Sequence, residues 1–284
     1  MGCGLNPQRL TLRDTRTNEV LSNLVEAGFY TEGQVHNARV NPAKIVENRL
    51  AQSPDWFLDW AYEEIQRLMD GRNQYSLVAR TTVDLNMQKQ VEQTLTDNVR
   101  TKGRQNRFNS GAIVIIEHDG AVRAIGGGPD YGESQFNRAT HAKRQPGSSF
   151  KIYVYATAVE GGMTMNSTVT DSSPSCGNWH PQNYGGSHGG GGSMPMWMAL
   201  AKSLNTTATA LSLKYGREKV IELTQRVGIK GIRRTCSMAL GDYGITPLEH
   251  AGGVAAIANG GKRALPYGIL EITNTRGELV YTRE

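Results

Sequence analysis

The chain has 284 residues, a net charge of +5 and 38% hydrophobic residues, so one or two domains with a sizeable core are expected. Its 33 glycines point to many loops. No basic run interleaves with aromatics, which argues against a nucleic-acid surface; no apolar stretch approaches the ~18–20 residues of a membrane span; and the first residues lack the basic-then-apolar pattern of an export signal.

Residues from about Asn6 to Val46 read as mostly helical, with Val20, Leu21, Leu24 and Val25 forming a stripe between Arg16 and Gly28. Ser53 reads as an N-cap with Pro54 at the first helical position. Phe57, Trp60, Ala61, Ile65, Leu68 and Met69 then make one apolar face, running up to Gly71 and read as core. Tyr75 to Val83 predicts a strand and Leu85 to Val99 an amphipathic helix. Two β-rich runs, Gly111–Glu117 and Ala121–Ile125, flank Asp119-Gly120, a hairpin signal. Gly126-Gly127-Gly128 ends the hairpin, and no P-loop lysine follows it.

Gly147 to Glu160 predicts a helix that buries Ile152, Val154, Tyr155, Ala158 and Val159 and closes at Gly161-Gly162. Cys176 to Gly192 is a glycine-rich loop holding Trp179, His180, Asn183, Tyr184 and His188. Its cysteine and histidines match no compact zinc spacing, and neither metal nor cofactor is expected. Met194–Tyr215, Glu218–Val227 and Thr246–Ala258 read as helices. Tyr267–Thr273 and Glu278–Thr282 read as a hairpin around Asn274-Thr275-Arg276-Gly277. Cys3 reads as an unpaired terminal residue. A bond between Cys176 and Cys236 would contribute ~4 kcal/mol on the chain-entropy model; two buried thiols is the alternative, and spacing leaves both open.

Ser148 and Lys151 follow the Pro146-Gly147 turn and share one helix face at i and i+3. A hydroxyl is a poor nucleophile until a base takes its proton, and Ser-x-x-Lys supplies both groups. The four positions alone more often mean an N-capping serine with an exposed lysine one turn on. The flanks add more. Ser134-Gln135-Phe136-Asn137-Arg138-Ala139-Thr140 leads into Arg144-Gln145-Pro146-Gly147-Ser148-Ser149-Phe150-Lys151. Ser203-Leu204-Asn205 follows inside Ala199–Thr206, then Ala239-Leu240-Gly241, Thr246-Pro247-Leu248-Glu249 and Ala258-Asn259-Gly260-Gly261. Together these resemble the transpeptidase domain of bifunctional class A penicillin-binding proteins, whose signature set is Ser-x-x-Lys, Ser-x-Asn and Lys-Thr-Gly. Pro181-Gln182-Asn183-Tyr184-Gly185 also resembles the family, in a loop lining the substrate cleft.

The resemblance implies an α+β fold of the serine transpeptidase/β-lactamase type, an antiparallel sheet flanked by helices. Residues 1–46 would be the C-terminal remnant of a glycosyltransferase module, since Arg16–Leu21 and Glu26–Thr31 are similar to its last helices. That module's acidic catalytic motifs do not occur here, and no glycosyl transfer is expected. Residues 47–108 would be the linker region, and 109–284 a transpeptidase domain lacking its C-terminal part. Ser148 would be the acylated nucleophile at its helix N-terminus, where unsatisfied N–H groups favour negative charge. Lys151 would take its proton, which needs a pKa drop of about 3 units from ~10.4, through burial and neighbouring positive charge. Ser203 would relay a proton to the leaving group, and Asn205 would position Lys151 and the substrate amide.

The implied activity is D,D-transpeptidation of peptidoglycan stem peptides, with β-lactam antibiotics acylating the same serine. Alternatives are a D,D-carboxypeptidase or β-lactamase-like hydrolase, and a non-catalytic module that binds β-lactam or peptidoglycan. The implied location is the periplasmic side of the cytoplasmic membrane, with membrane contact only through an N-terminal anchor missing from this sequence. No Lys-Ser-Gly or Lys-Thr-Gly occurs, so the expectation is a fragment with impaired transpeptidation.

Overall fold

The structure, a computed structural model, describes residues 7–40, 53–70 and 76–283, with side chains from residue 17 onward. Asn6, the stretch 41–46, Gly71, Tyr75 and Cys3 lie outside the described residues. The chain divides into two compact units at the Ser53/Pro54 junction. The first carries α1 (Pro7–Glu26) and α2 (Glu32–Val40). Its α1 ends where the amides of Phe29 and Tyr30 both reach back to the Leu24 carbonyl, and Arg39 joins Glu32 at 3.0 Å and Ser22 at 2.9 Å.

The second unit opens with α3 (Asp55–Leu68). Its cap position is Pro54 and its first residue Asp55, one step later than the sequence reading. Trp56, Phe57, Ala61 and Met69 are buried, while Trp60, Ile65 and Leu68 are partly buried against the same core. Trp56 and Glu64 were not on the predicted face. Glu64 turns inward because its carboxylate accepts the Gly268 amide at 2.7 Å, which offsets part of its burial cost. Next come β1 (Leu77–Thr81) and α4 (Leu85–Asn106). Asp84 caps α4 by accepting from the amides of Asn86 and Met87, and the helix runs past Val99 to stop at Arg107, φ 57°.

The predicted hairpin is present as β2 (Ile113–Ile116) and β3 (Val122–Gly126), antiparallel across the Asp119-Gly120 turn. Gly127 follows because a methyl there would meet the Trp56 ring and Asn137. After a 3-10 turn at Gly147–Phe150 come α5 (Lys151–Glu160), β4 (Thr168–Thr170), β5 (Ser193–Pro195), α6 (Met196–Ala201), α7 (Asn205–Tyr215), α8 (Arg217–Arg226) and α9 (Pro247–Ala258). Thr246 and Glu249 form a reciprocal capping box on α9. The last hairpin is β6 (Ile269–Asn274) with β7 (Leu279–Thr282).

The sheet order is β1-β6-β7, antiparallel, with Ile272 opposite both Ala79 and Tyr281. The β2–β3 hairpin is joined to it at Ala121 and Tyr267, where the Val122 amide bonds the Tyr267 carbonyl at 2.9 Å. One core lies between α3 and these strands (Phe57, Val122, Ile125, Ile269, Ile272). A second surrounds α5 (Tyr153, Tyr155, Met196, Ala208, Ile229, Met238). This is the expected antiparallel sheet with flanking helices. The buried face of α5 differs from the reading: Val159 is exposed and Ile152 only partly buried, while Tyr153 is fully buried and meets His250 Nδ1 at 2.9 Å. Among the described residues no helix is long and apolar enough to cross a membrane.

Candidate active site

Ser148 does not begin an α-helix as expected. It sits in the 3-10 turn Gly147–Phe150, and α5 starts at Lys151, whose amide bonds the Ser148 carbonyl. Side chains three apart eclipse in such a turn, so Ser148 and Lys151 stack on one side. Ser148 is exposed and Lys151 is 0% exposed. The turn starts at Gly147 with φ 57°, a conformation favoured by glycine. It is backed by a remote segment: the Gly147 amide reaches the Gly241 carbonyl at 3.3 Å, and Gln145 Nε2 donates to the Asp242 carbonyl at 2.9 Å. Gly241, φ 70°, leaves no room for a methyl, which would strike the Gly147 backbone.

Lys151 Nζ donates to the Ser203 carbonyl at 2.6 Å, Ser203 Oγ at 3.0 Å and Asn205 Oδ1 at 2.6 Å. Burial pulls its pKa down to about 8 from 10.5. Burial is the cause here, and no neighbouring positive charge contributes. The shift corresponds to roughly 3 kcal/mol of disfavoured charge. An ammonium has three donors, and Ser203 and Asn205 occupy all three. The neutral amine keeps two N–H groups and gains a lone pair able to accept a hydroxyl proton.

Met194–Tyr215 is mostly helical, as the sequence predicts, and β5, α6 and α7 divide it, with Ser203 in the break. Ser203 adopts φ 54°, one of two described non-glycine residues with positive φ. Asn205 is the first residue of α7, and the cap position before it is Leu204, which has no acceptor side chain. The acceptor comes instead from the loop. Asn183 Oδ1 takes the amides of Asn205 at 2.8 Å and Thr206 at 3.2 Å. The Gln182 carbonyl accepts Asn205 Nδ2 at 2.7 Å, which turns Asn205 Oδ1 towards Lys151.

Asn183 is itself anchored. Its Nδ2 donates to Asp171 Oδ1 at 3.2 Å, Thr206 Oγ1 also bonds Asp171, and the Gly191 amide reaches Asp171 Oδ2 at 3.0 Å. Burial pushes the Asp171 pKa up, but the hydrogen bonds from Thr206, Asn183 and Gly191, with the Lys202 charge, outweigh it and hold the carboxyl below its ordinary value. Ser148, Ser203, Asn205 and loop residues Gln182–Gly185 line a cleft of about 700 Å³, with Tyr184 fully exposed. Cys176 and Cys236 form a disulfide, tying this loop to the segment behind the Ser148 turn.

The four residues singled out in the sequence are thus brought together, Ser148 through its shared turn with Lys151 and cleft with Ser203 and Asn205. The reading marked Asn183 only as part of a cleft loop and missed Asp171 and Thr206. No local pattern marks Asp171, because its partners stand 12 to 35 residues away. A larger hollow of about 800 Å³ lies among α5, α8 and α9, apart from these groups.

A family model described as the penicillin binding protein transpeptidase domain matches residues 111–283. Penicillin-binding protein 1A of Aquifex aeolicus is 39% identical over 177 residues, covering 60% of this chain and 24% of that protein. Penicillin-binding protein 1B of Vibrio cholerae is 29% identical, covering 97% of this chain and 37% of its own length. The chain therefore spans about a quarter to somewhat over a third of these relatives. Penicillin-binding protein 1A from Haemophilus influenzae superposes with a TM-score of 0.69 at 22% identity, over 98% of this chain and 57% of that one. PonA1 from Mycobacterium tuberculosis in complex with penicillin V gives 0.68 at 24% identity, over 80% of this chain and 64% of the other. The matched region contains every residue of the cleft, and the chain belongs to the penicillin-binding protein transpeptidase family.

Proposed function

We propose that the cleft performs serine acyl transfer, with Ser148 as nucleophile and Lys151 as the base that activates it. The observation that carries this is the buried Lys151 amine, one turn from Ser148 and held by Ser203 and Asn205. In its neutral form Lys151 accepts the Ser148 proton as Oγ attacks a carbonyl. Ser203 Oγ, already bonded to Lys151, passes a proton to the leaving amine, and Asn205 holds Lys151 while offering its amide to the substrate.

The substrate class is the D-alanyl-D-alanine end of a peptidoglycan stem peptide, resolved by an amine of a second stem to form a cross-link. β-Lactams enter as mimics of the same peptide, a reading supported by the penicillin V complex of the similar PonA1. The alignment with penicillin-binding protein 1B across 97% of this chain supports a further proposal: residues 1–46 come from the end of a glycosyltransferase module and 47–108 from a linker, in a protein working on the periplasmic side of the cytoplasmic membrane.

The test is intact mass after incubation with benzylpenicillin, beside Ser148→Ala. A stable gain of one drug mass in the parent and none in the variant is expected. Labelling of Ser148→Ala, or a parent that stays unlabelled while correctly folded, overturns the proposal for this chain.

A further inference from the structure

We propose that Asn183 is a positioning residue for acylation: from the loop it caps α7 in place of a local side chain and so sets Asn205, with buried Asp171 as its anchor. The inference rests on the reading of Ser148, Lys151 and Asn205 given above. Four observations carry it. The cap position of α7 is Leu204, whose side chain cannot accept a hydrogen bond, so the first amides of that helix lack a local side-chain partner. Asn183 Oδ1, 22 residues upstream, accepts from two of them, Asn205 and Thr206. Asn183, Asp171 and Thr206 are each more than nine-tenths buried and satisfy one another, so the amide of Asn183 has one favourable orientation. Finally, Gln182 next to it takes Asn205 Nδ2, leaving Asn205 Oδ1 aimed at Lys151 at 2.6 Å.

The backbone and the side chain of Asn205 are therefore both held by two consecutive loop residues. Loss of the Asn183 carbonyl would free the first turn of α7, and Asn205 would drift from the amine. A displacement of about 1 Å at such a position typically lowers rate on the order of 100-fold.

The experiment compares the full chain with Asn183→Ala, Asp171→Asn, Asn183→Asp and the exchanged pair D171N/N183D. Acylation by benzylpenicillin is separated into affinity and first-order rate, and melting and the disulfide report folding. Asn183→Ala should lower the first-order rate about 100-fold. Asn183→Asp sets two carboxylates against each other, and Asp171→Asn turns one acceptor into a donor, so that either Asn183 Nδ2 or the Gly191 amide loses its acceptor. The exchanged pair restores an amide–carboxylate contact and still presents an oxygen to Asn205 and Thr206. It should recover at least about tenfold over the worse single variant, as residues in one network do.

A labelled parent with an unchanged rate in Asn183→Ala overturns the inference and leaves the function intact. So does an exchanged pair that folds like the parent but is no faster than the single variants. If Asn183→Ala does not fold, the single and exchanged carboxylate–amide variants decide. If the parent itself takes no label, the function fails, and NMR of isotope-labelled lysine then judges the inference. Lys151 should titrate near pH 8 in the parent and move towards the ordinary lysine range in Asn183→Ala or, should that variant not fold, in Asn183→Asp as water enters. An unmoved titration overturns it.

Discussion

Ser148 and Lys151 lie on one unbroken run of chain, the turn Gly147–Phe150 passing directly into α5. Ser203 lies in, and Asn205 follows, a break between α6 and α7 that no side chain at the cap position closes. In the first region the backbone bond from Lys151 to Ser148 links nucleophile and base within one turn, with the Gly241–Asp242 segment backing it. In the second, the geometry depends on Asn183, Gln182 and Asp171, which belong to a loop far away in sequence. The two regions meet at the Lys151 amine. The contrast shows why one half of the site reads as a motif and the other needs a folded protein.

The strongest challenge to this contrast is Lys151→Ala. It removes the group shared by both regions, and acylation should fall ~10²–10⁴-fold, the usual worth of a general base. In the parent, acylation should rise through about pH 8 and level off above, since the neutral amine is the active form. The stability dependence has a definite sign. The folded pKa is lowered, so between about 8 and 10.5 the unfolded chain binds more protons and stability rises with pH. Below 8 both states are protonated and this contribution is constant. Stopped-flow acylation and denaturant melts across that range check both; a flat profile in the parent would remove Lys151 as the base.

A smaller effect tests whether the Ser148 turn is as local as it looks. Gly241→Ala places a methyl against the Gly147 backbone, which cannot yield without moving Ser148. Acylation should fall on the order of 100-fold with affinity for the drug little changed. A normal rate would mean that the turn holds its shape without its backing segment. The smallest effect on acylation is expected from the pair Cys176→Ser and Cys236→Ser. It should lower stability by ~2–4 kcal/mol in urea melts while changing acylation less than Gly241→Ala does. A larger loss of rate would show that the disulfide itself aligns the two regions.

Much of the frame was readable from pattern. Asp119-Gly120 marked the β2–β3 hairpin, Asn274–Gly277 marked β6–β7, and the run Thr246–Ala258 read as the helix found as α9. The misread positions share a cause. Helix α5 is packed by α6, α7 and α8, so its buried residues do not form one stripe, and a one-sided reading chose Val159 over Tyr153. The run Met194–Tyr215 has no proline or glycine after Pro195 to signal the break at Ser203. That break follows from contacts made by Asn183 and Lys151 from elsewhere.

What sequence determined by itself is the set of features encoded within a few residues: turns, caps, the spacing of Ser148 and Lys151, and the order of the two motifs. These depend on backbone preferences and short hydrogen bonds that a contiguous segment already contains. The tertiary structure alone decided which lysine is dry, which serine takes a left-handed conformation, which cysteines join and which asparagine caps α7. Those outcomes arise from burial and from partners remote along the chain, and desolvation acts only once the chain has closed around a group.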